Sequence, residues 1–223
     1  AAKRGPNRRR VVIMTQHSTP KPKYFAPGTT IGLFGGSFDP PHAGHRMVSL
    51  AALRGLGLDH VWWLVSPQNP LKTHAPKDMK QRLAACRQMA AHPKLYVSDE
   101  ETRLGTQYAI DTVRQLKARH PGVGFIWLMG SDNFSTLHHW KDWQGLMREI
   151  RVAVYPRPGS TLKVANSQAG QFFSAYRKPA NQAQDLKYQA TPAWTVLEGV
   201  RSALSSSDLR QNDLRQTPNN KQH

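Results

Sequence analysis

The chain has 223 residues, enough for one well-packed domain and too few for two large ones. Hydrophobic residues make up 39%, and the longest apolar runs, Val61–Val65 and Phe125–Met129, fall well short of the roughly 18 to 20 residues of a membrane span. The formal net charge of +17 favours anionic ligands, and a single cysteine, Cys86, excludes an intramolecular disulfide and a cysteine-built zinc site.

The chain opens with Lys3, Arg4, Arg8, Arg9, Arg10, Lys21 and Lys23, with no acidic residue among them and with Pro6, Pro20, Pro22 and Pro27 interspersed. Residues 1–27 therefore read as a basic, disordered arm. Met14 within it is a candidate start of translation, which would make the residues before it dispensable. No apolar stretch of signal-peptide length follows the basic residues, so a cytoplasmic protein is the simple expectation.

Thr30–Phe34 is a short apolar run followed by glycines and reads as a buried strand. Met47, Leu50 and Ala51 predict a helix over about Ala43–Arg54, and His60–Val65 a second strand. Met79, Leu83, Cys86 and Ala90 place one apolar stripe on a second helix, where Cys86 reads as a buried small hydrophobe. Lys94–Val97 is a third strand. Ala109, Val113 and Leu116 mark a third helix, ended by His120-Pro121-Gly122. Val123–Met129 and Arg151–Tyr155 are the fourth and fifth strands. Residues 156–193, rich in Gln, Ala, Ser and Pro, carry no clear period and are expected to hold a short helix and an insertion. Strand alternating with helix predicts an α/β protein with a doubly wound parallel sheet over 28–215, followed by a flexible tail at 216–223. Ligands of such sheets bind beyond the carboxyl ends of the strands, where the chemistry-bearing residues should lie.

Directly after the first strand comes Gly35-Gly36-Ser37-Phe38-Asp39-Pro40-Pro41-His42-Ala43-Gly44-His45. No Gly-Lys-Ser/Thr follows, which excludes a Walker loop, and Asp39 replaces the last glycine of a hydrolase nucleophile elbow. Paired glycines let backbone amides approach a phosphate, and the next helix adds its N-terminal dipole. His42 and His45, three apart at that helix start, can face the same way and donate to charge developing on phosphorus. The segment resembles the His-x-Gly-His signature of the adenylyl- and cytidylyltransferase superfamily, as found in nicotinate mononucleotide adenylyltransferases. The resemblance implies a Rossmann-like nucleotidyltransferase fold, with Gly35, Gly36, Ser37 and Phe38 at ATP and with His42 and His45 on its phosphates.

Further segments are similar to the same family. Ser205-Ser206-Ser207-Asp208-Leu209-Arg210 resembles its Ser-Ser-Thr-x-Ile-Arg motif, with Ser207 for Thr and Leu209 for Ile. Hydroxyls and amides at a helix start, with an arginine one turn on, suit phosphate oxygens, and the family uses them to hold ATP. Gly130-Ser131-Asp132 with Trp140 matches Gly-x-Asp-x7-Trp, which implies Asp132 near the adenosine and Trp140 as a flat platform for the pyridine, Trp143 being its rival. Arg103–Thr112 resembles the Arg-x-Gly-x-x-Tyr-x-x-Asp-Thr segment of the nicotinate branch, placing the nicotinate carboxylate near Thr106 and Tyr108. Pro67-Gln68-Asn69-Pro70-Leu71-Lys72 matches a Pro/Asn-rich loop whose basic residue reaches the phosphates.

The reaction so implied joins ATP to nicotinate mononucleotide, giving nicotinate adenine dinucleotide and pyrophosphate, with catalytic donors His42, His45, Lys72 and Arg210. No carboxylate cluster is apparent, so Mg²⁺ is expected to arrive with ATP. The alternatives are pantetheine-phosphate adenylyltransferase or a cytidylyltransferase, which lack the combined nicotinate-branch segments, and a non-catalytic RNA-binding α/β protein. Neither an aromatic-basic RNA-binding signature nor zinc-finger spacing is present, so nucleic acid is not an expected partner. The sequence leaves the oligomeric state open.

Overall fold

The computed structural model describes residues 25–67, 78–157 and 160–197 of the chain. Seven strands, β1 (Thr30–Gly36), β2 (His60–Val65), β3 (Leu95–Ser98), β4 (Gly124–Gly130), β5 (Arg151–Tyr155), β6 (Arg177–Lys178) and β7 (Trp194–Val196), form one sheet in the order β3-β2-β1-β4-β5-β7-β6. Every pairing is parallel. The helices are α1 (Ala43–Gly55), α2 (Met79–Met89), α3 (Glu100–Leu104), α4 (Ala109–Arg119), α5 (Ser131–Ser135), α6 (Trp143–Glu149), α7 (Thr161–Ala165) and α8 (Gln168–Phe172). None of the described helices is long and apolar enough to cross a membrane.

The period-two alternation of the strands sorts their side chains into two cores. Ile31, Leu33, Trp62, Leu64, Trp127, Met129, Val152 and Val154 pack on one face beneath α4 and α6. Phe34, Val61, Trp63, Val65, Ile126, Leu128 and Ala153 pack on the other, beneath α1 and α2. Strands buried on both faces read as continuous apolar runs, which is why the first, second and fourth stand out in the sequence. Helices on both faces make the sheet doubly wound, as expected.

Local chemistry starts and seats the helices. Asp78 caps α2, its carboxylate accepting from the amides of Lys80 (3.0 Å) and Gln81 (3.4 Å). Leu83 and Cys86 then turn into the second core. Burial pushes the Cys86 thiol up to about 12, so it is an inert hydrophobe at neutral pH. On α4, Ile110, Val113 and Leu116 form the apolar stripe against the sheet.

The chain runs outward from β1 through β2 to β3, then restarts beside β1 at β4. Strand order therefore reverses between β1 and β4, where Leu33 pairs with Trp127. A crevice opens at such a reversal beyond the carboxyl ends of the two strands.

Three features depart from the sequence expectation. Packed chain reaches back to Phe25, ahead of the boundary expected at 28; its ring is buried against His60, Trp62, Tyr96 and His120. Residues 156–193 hold α7, α8, two 3-10 turns and β6 rather than a single short helix. Beyond them β7 adds to β5, Val152 pairing with Trp194, whose indole N–H donates to the Phe173 carbonyl at 2.8 Å. All but the 3-10 stretch Ala180–Tyr188, which is broken by a kink at Gln182, are too short to display a helical or strand period. The rest of residues 1–27 and the tail at 216–223 lie outside the described residues.

Candidate active site

β1 delivers Gly35 and Gly36 to the crevice. A Cβ on Gly35 would come within 3.1 Å of the Trp127 ring on β4, a tight contact that a side chain could make only if the indole gave way by a few tenths of an ångström. The turn continues through Phe38 at φ 46°, a left-handed conformation that a bulky residue rarely adopts. Its ring stacks on Trp63 at 4.9 Å with planes 3° apart and meets Phe34 edge-on. Phe38, singled out above for ATP, thus spends its side chain inside the second core and leaves its backbone to shape the turn.

His42 caps α1 and His45 stands one turn in, with ring centroids 3.7 Å apart. The His42 amide donates to Nδ1 of His45 at 3.1 Å. A ring whose Nδ1 accepts carries its proton, when neutral, on Nε2, so His45 presents an N–H donor there. His42 is buried, and its Nδ1 has no hydrogen-bond partner among the described residues. Burial, and then the charge of Arg157, hold its pKa below the ordinary 6.5, so it is neutral at pH 7.

The opposite wall comes from β4 and β5. Gly130 ends β4, Ser131 starts α5, and the carboxylate of Asp132 pairs with the Arg157 guanidinium at 3.0 Å. The Arg157 amide donates to the hydroxyls of Ser131 (3.2 Å) and Ser160 (2.8 Å), which fixes the turn after β5. Arg157 thereby brings a cation to both Asp132 and His42. Sequence reading missed it; its signal is an arginine in a Pro-Arg-Pro-Gly string directly after a strand.

Thr106 and Tyr108 stand at the start of α4. Thr106 is buried; its amide donates to the Glu101 carbonyl at 3.0 Å, and its hydroxyl pairs with that of Thr112 at 2.7 Å. The amide and the hydroxyl of Thr106 are thus both engaged within the protein, by Glu101 and Thr112. Trp140 is half-buried, packs edge-on against Trp127 at 6.4 Å, and follows a 3-10 turn, its amide bonded to Leu137. Its rival Trp143 instead packs on Phe172 and Phe173. Lys141 joins the two segments, lying 4.5 Å above the Tyr108 ring and 3.4 Å from the Asp111 carboxylate.

The structure therefore gathers Gly35, Gly36, Ser37, Phe38, His42, His45 and Asp132 at the β1/β4 reversal, with Trp140 linked to them through Trp127. Lys72, Ser205, Ser206, Ser207 and Arg210 lie outside the described residues. Among the described residues no group of three or more His, Cys, Asp or Glu side chains is placed to hold a metal ion.

Comparison with known proteins places the chain among relatives. Residues 33–212 match the cytidylyltransferase-like family. A probable nicotinate-nucleotide adenylyltransferase of Caulobacter sp. (strain K31) is 48% identical over 181 residues, 81% of this chain and 96% of the relative. Its counterpart from Ruegeria sp. (strain TM1040) is 44% identical, with the same coverage. The fold is that of the Plasmodium falciparum nicotinic acid mononucleotide adenylyltransferase complexed with NaAD, at TM-score 0.59, 17% identity, and coverage of 84% of this chain and 89% of that one. The same parasite enzyme complexed with APC gives a TM-score of 0.58 at 17% identity, covering 82% and 83%. With 44% or more of the aligned residues identical along almost the full length of these relatives, the chain belongs to the cytidylyltransferase-like family and, within it, to the nicotinate-nucleotide adenylyltransferases.

Proposed function

We propose that this chain transfers the adenylyl group of ATP to nicotinate mononucleotide, releasing pyrophosphate and forming nicotinate adenine dinucleotide for NAD biosynthesis in the cytoplasm. The observation that carries the reading is the meeting of the paired glycines, the closely apposed histidines and the Asp132–Arg157 pair at the β1/β4 reversal.

An oxygen of the mononucleotide's 5′-phosphate attacks the α-phosphorus of ATP. The new P–O bond forms as the bond to the β-phosphate bridging oxygen breaks, and pyrophosphate leaves. The attacking phosphate is anionic at neutral pH, so no strong base is required. Catalysis lies in alignment and in neutralising charge on the five-coordinate phosphorus. His45 donates from Nε2 and His42 from its neighbouring ring. Arg157 adds a point of positive charge, and Lys72 and Arg210 complete the set with Ser205, Ser206 and Ser207. A divalent cation, Mg²⁺ in this reading, is carried by the triphosphate oxygens and water, where it offsets phosphate charge. Trp140 stacks on the pyridine. The nicotinate carboxylate lies at the start of α4 near Tyr108, received by main-chain amides there, since the amide and hydroxyl of Thr106 are engaged.

The test is pyrophosphate release from ATP and Mg²⁺, with nicotinate mononucleotide, nicotinamide mononucleotide and phosphopantetheine supplied separately. Release that is fastest with the nicotinate compound supports the assignment. Release with phosphopantetheine alone keeps the mechanism and overturns the substrate.

A further inference from the structure

Arg82 is a charged residue inside the apolar stripe of α2, and it is 3% exposed. Its side chain crosses to the carboxyl edge of the sheet and donates there to main-chain carbonyls of two separate loops. One terminal nitrogen donates to Ser37 and to Ser66, both at 2.8 Å, and the other to Pro67 at 3.3 Å. Ser37 belongs to the turn after β1; Ser66 and Pro67 open the loop after β2. Asp39, in the same turn as Ser37, supports the charge electrostatically. A planar fork with several donors can hold carbonyls on two backbones at once, which a lysine ammonium on a flexible stem cannot do with the same geometry.

We propose that Arg82 is a positioning residue for the ATP site, fixing the Gly35–Phe38 turn against the loop after β2 so that the turn's amides stay aimed at the triphosphate. The proposal rests on the ATP-dependent reading above. Arg82 touches neither substrate; it turns the Ser37 carbonyl inward, toward α2, and the peptide plane that follows is oriented with it. Removing the fork frees three carbonyls and lets the turn after Gly36 relax, a change expected at the phosphate cradle; Gly35 and Trp127, which carry the link to Trp140, lie in the central strands β1 and β4 and stay in place.

The experiment compares Arg82→Lys and Arg82→Met with the parent chain. Mg·ATP affinity is measured by calorimetry without the second substrate, steady-state constants are measured for both substrates, and urea unfolding monitors the fold. Arg82→Lys is expected to fold and to bind ATP about tenfold more weakly, the range for losing one charge-assisted hydrogen bond. Its Michaelis constant for nicotinate mononucleotide should stay within about twofold of the parent. A folded Arg82→Lys that binds ATP like the parent overturns the proposal, as do equal losses for both substrates. Failure of Arg82→Lys to fold overturns it as well, since Arg82 would then serve stability alone. A parent chain that binds no ATP refutes the function itself, and the parent titration reports this separately.

Discussion

Glu101 offers the sharpest quantitative test of the packing beneath the nicotinate segment. It lies on α3, 8% exposed, directly under the loop whose Thr106 amide its own carbonyl accepts. Burial alone raises its carboxyl from the ordinary 4.5 to about 7. Below 4.5 both folded and unfolded chains hold the proton, and the group contributes nothing adverse. Between 4.5 and about 7 the unfolded chain releases its proton first, so stability falls as pH rises. Above 7 both forms are ionised and the folded chain bears the full cost of a buried charge. At about 1.4 kcal/mol for each tenfold change in proton affinity, that cost is about 3 kcal/mol. Glu101→Gln keeps the shape and removes the ionisation. Urea unfolding at pH 8 should show the variant more stable than the parent by about 2 to 3 kcal/mol. At pH 5 most of that advantage should vanish. A difference that is the same at both pH values would refute the argument, because it would place the effect in packing or hydrogen bonding and not in titration.

His45→Ala should lower turnover by about 10²-fold, the range for losing one preorganised donor, and single-turnover kinetics on the folded variant would reveal a smaller role. Trp140→Ala should raise the Michaelis constant for the mononucleotide far more than that for ATP; equal effects would argue against ring stacking. Arg157→Gln removes a cation that lowers the His42 pKa, so the His42 ring, followed by NMR, should titrate at higher pH than in the parent. An unchanged titration would mean that burial alone sets it.

Much of the fold was legible because β1, β2 and β4 are buried on both faces and must be apolar throughout, which leaves compact runs such as Val61–Val65. What escaped was short. β7 has three residues and β6 two, and α3, α5, α7 and α8 have five each, less than two helical turns. No period can be read from such lengths. The site divides in the same way. The residues from Gly35 to His45 are contiguous, so their chemistry is visible as a string. Arg157 and Arg82 reach the crevice only through the fold, one from the turn after β5 and the other from the middle of a helix. Arg82 did leave a trace: it sits within the stripe of Met79, Leu83 and Cys86, where a charge is costly unless several acceptors wait for it. Phe38 and Thr106 show the converse limit. Spacing placed them at the site, but not the direction in which a ring or hydroxyl is spent.

The physical link between the two proposed substrate subsites is a single side chain. Leu33 and Trp127 are register partners on β1 and β4, and the alternation of the strands sends both to the same face of the sheet. From there the Trp127 indole lies against Gly35 and meets Trp140 edge-on. The phosphate turn and the pyridine platform are thus braced against one ring held in a central strand, which loop motion cannot easily shift. In-line transfer between two separately bound substrates requires their reacting atoms to be aligned within a few tenths of an ångström, and rigid strands hold such alignment better than loops do. The same contact explains glycine at position 35 without reference to phosphate: a Cβ there would lie 3.1 Å from the Trp127 ring, which would have to give way by a few tenths of an ångström to admit it.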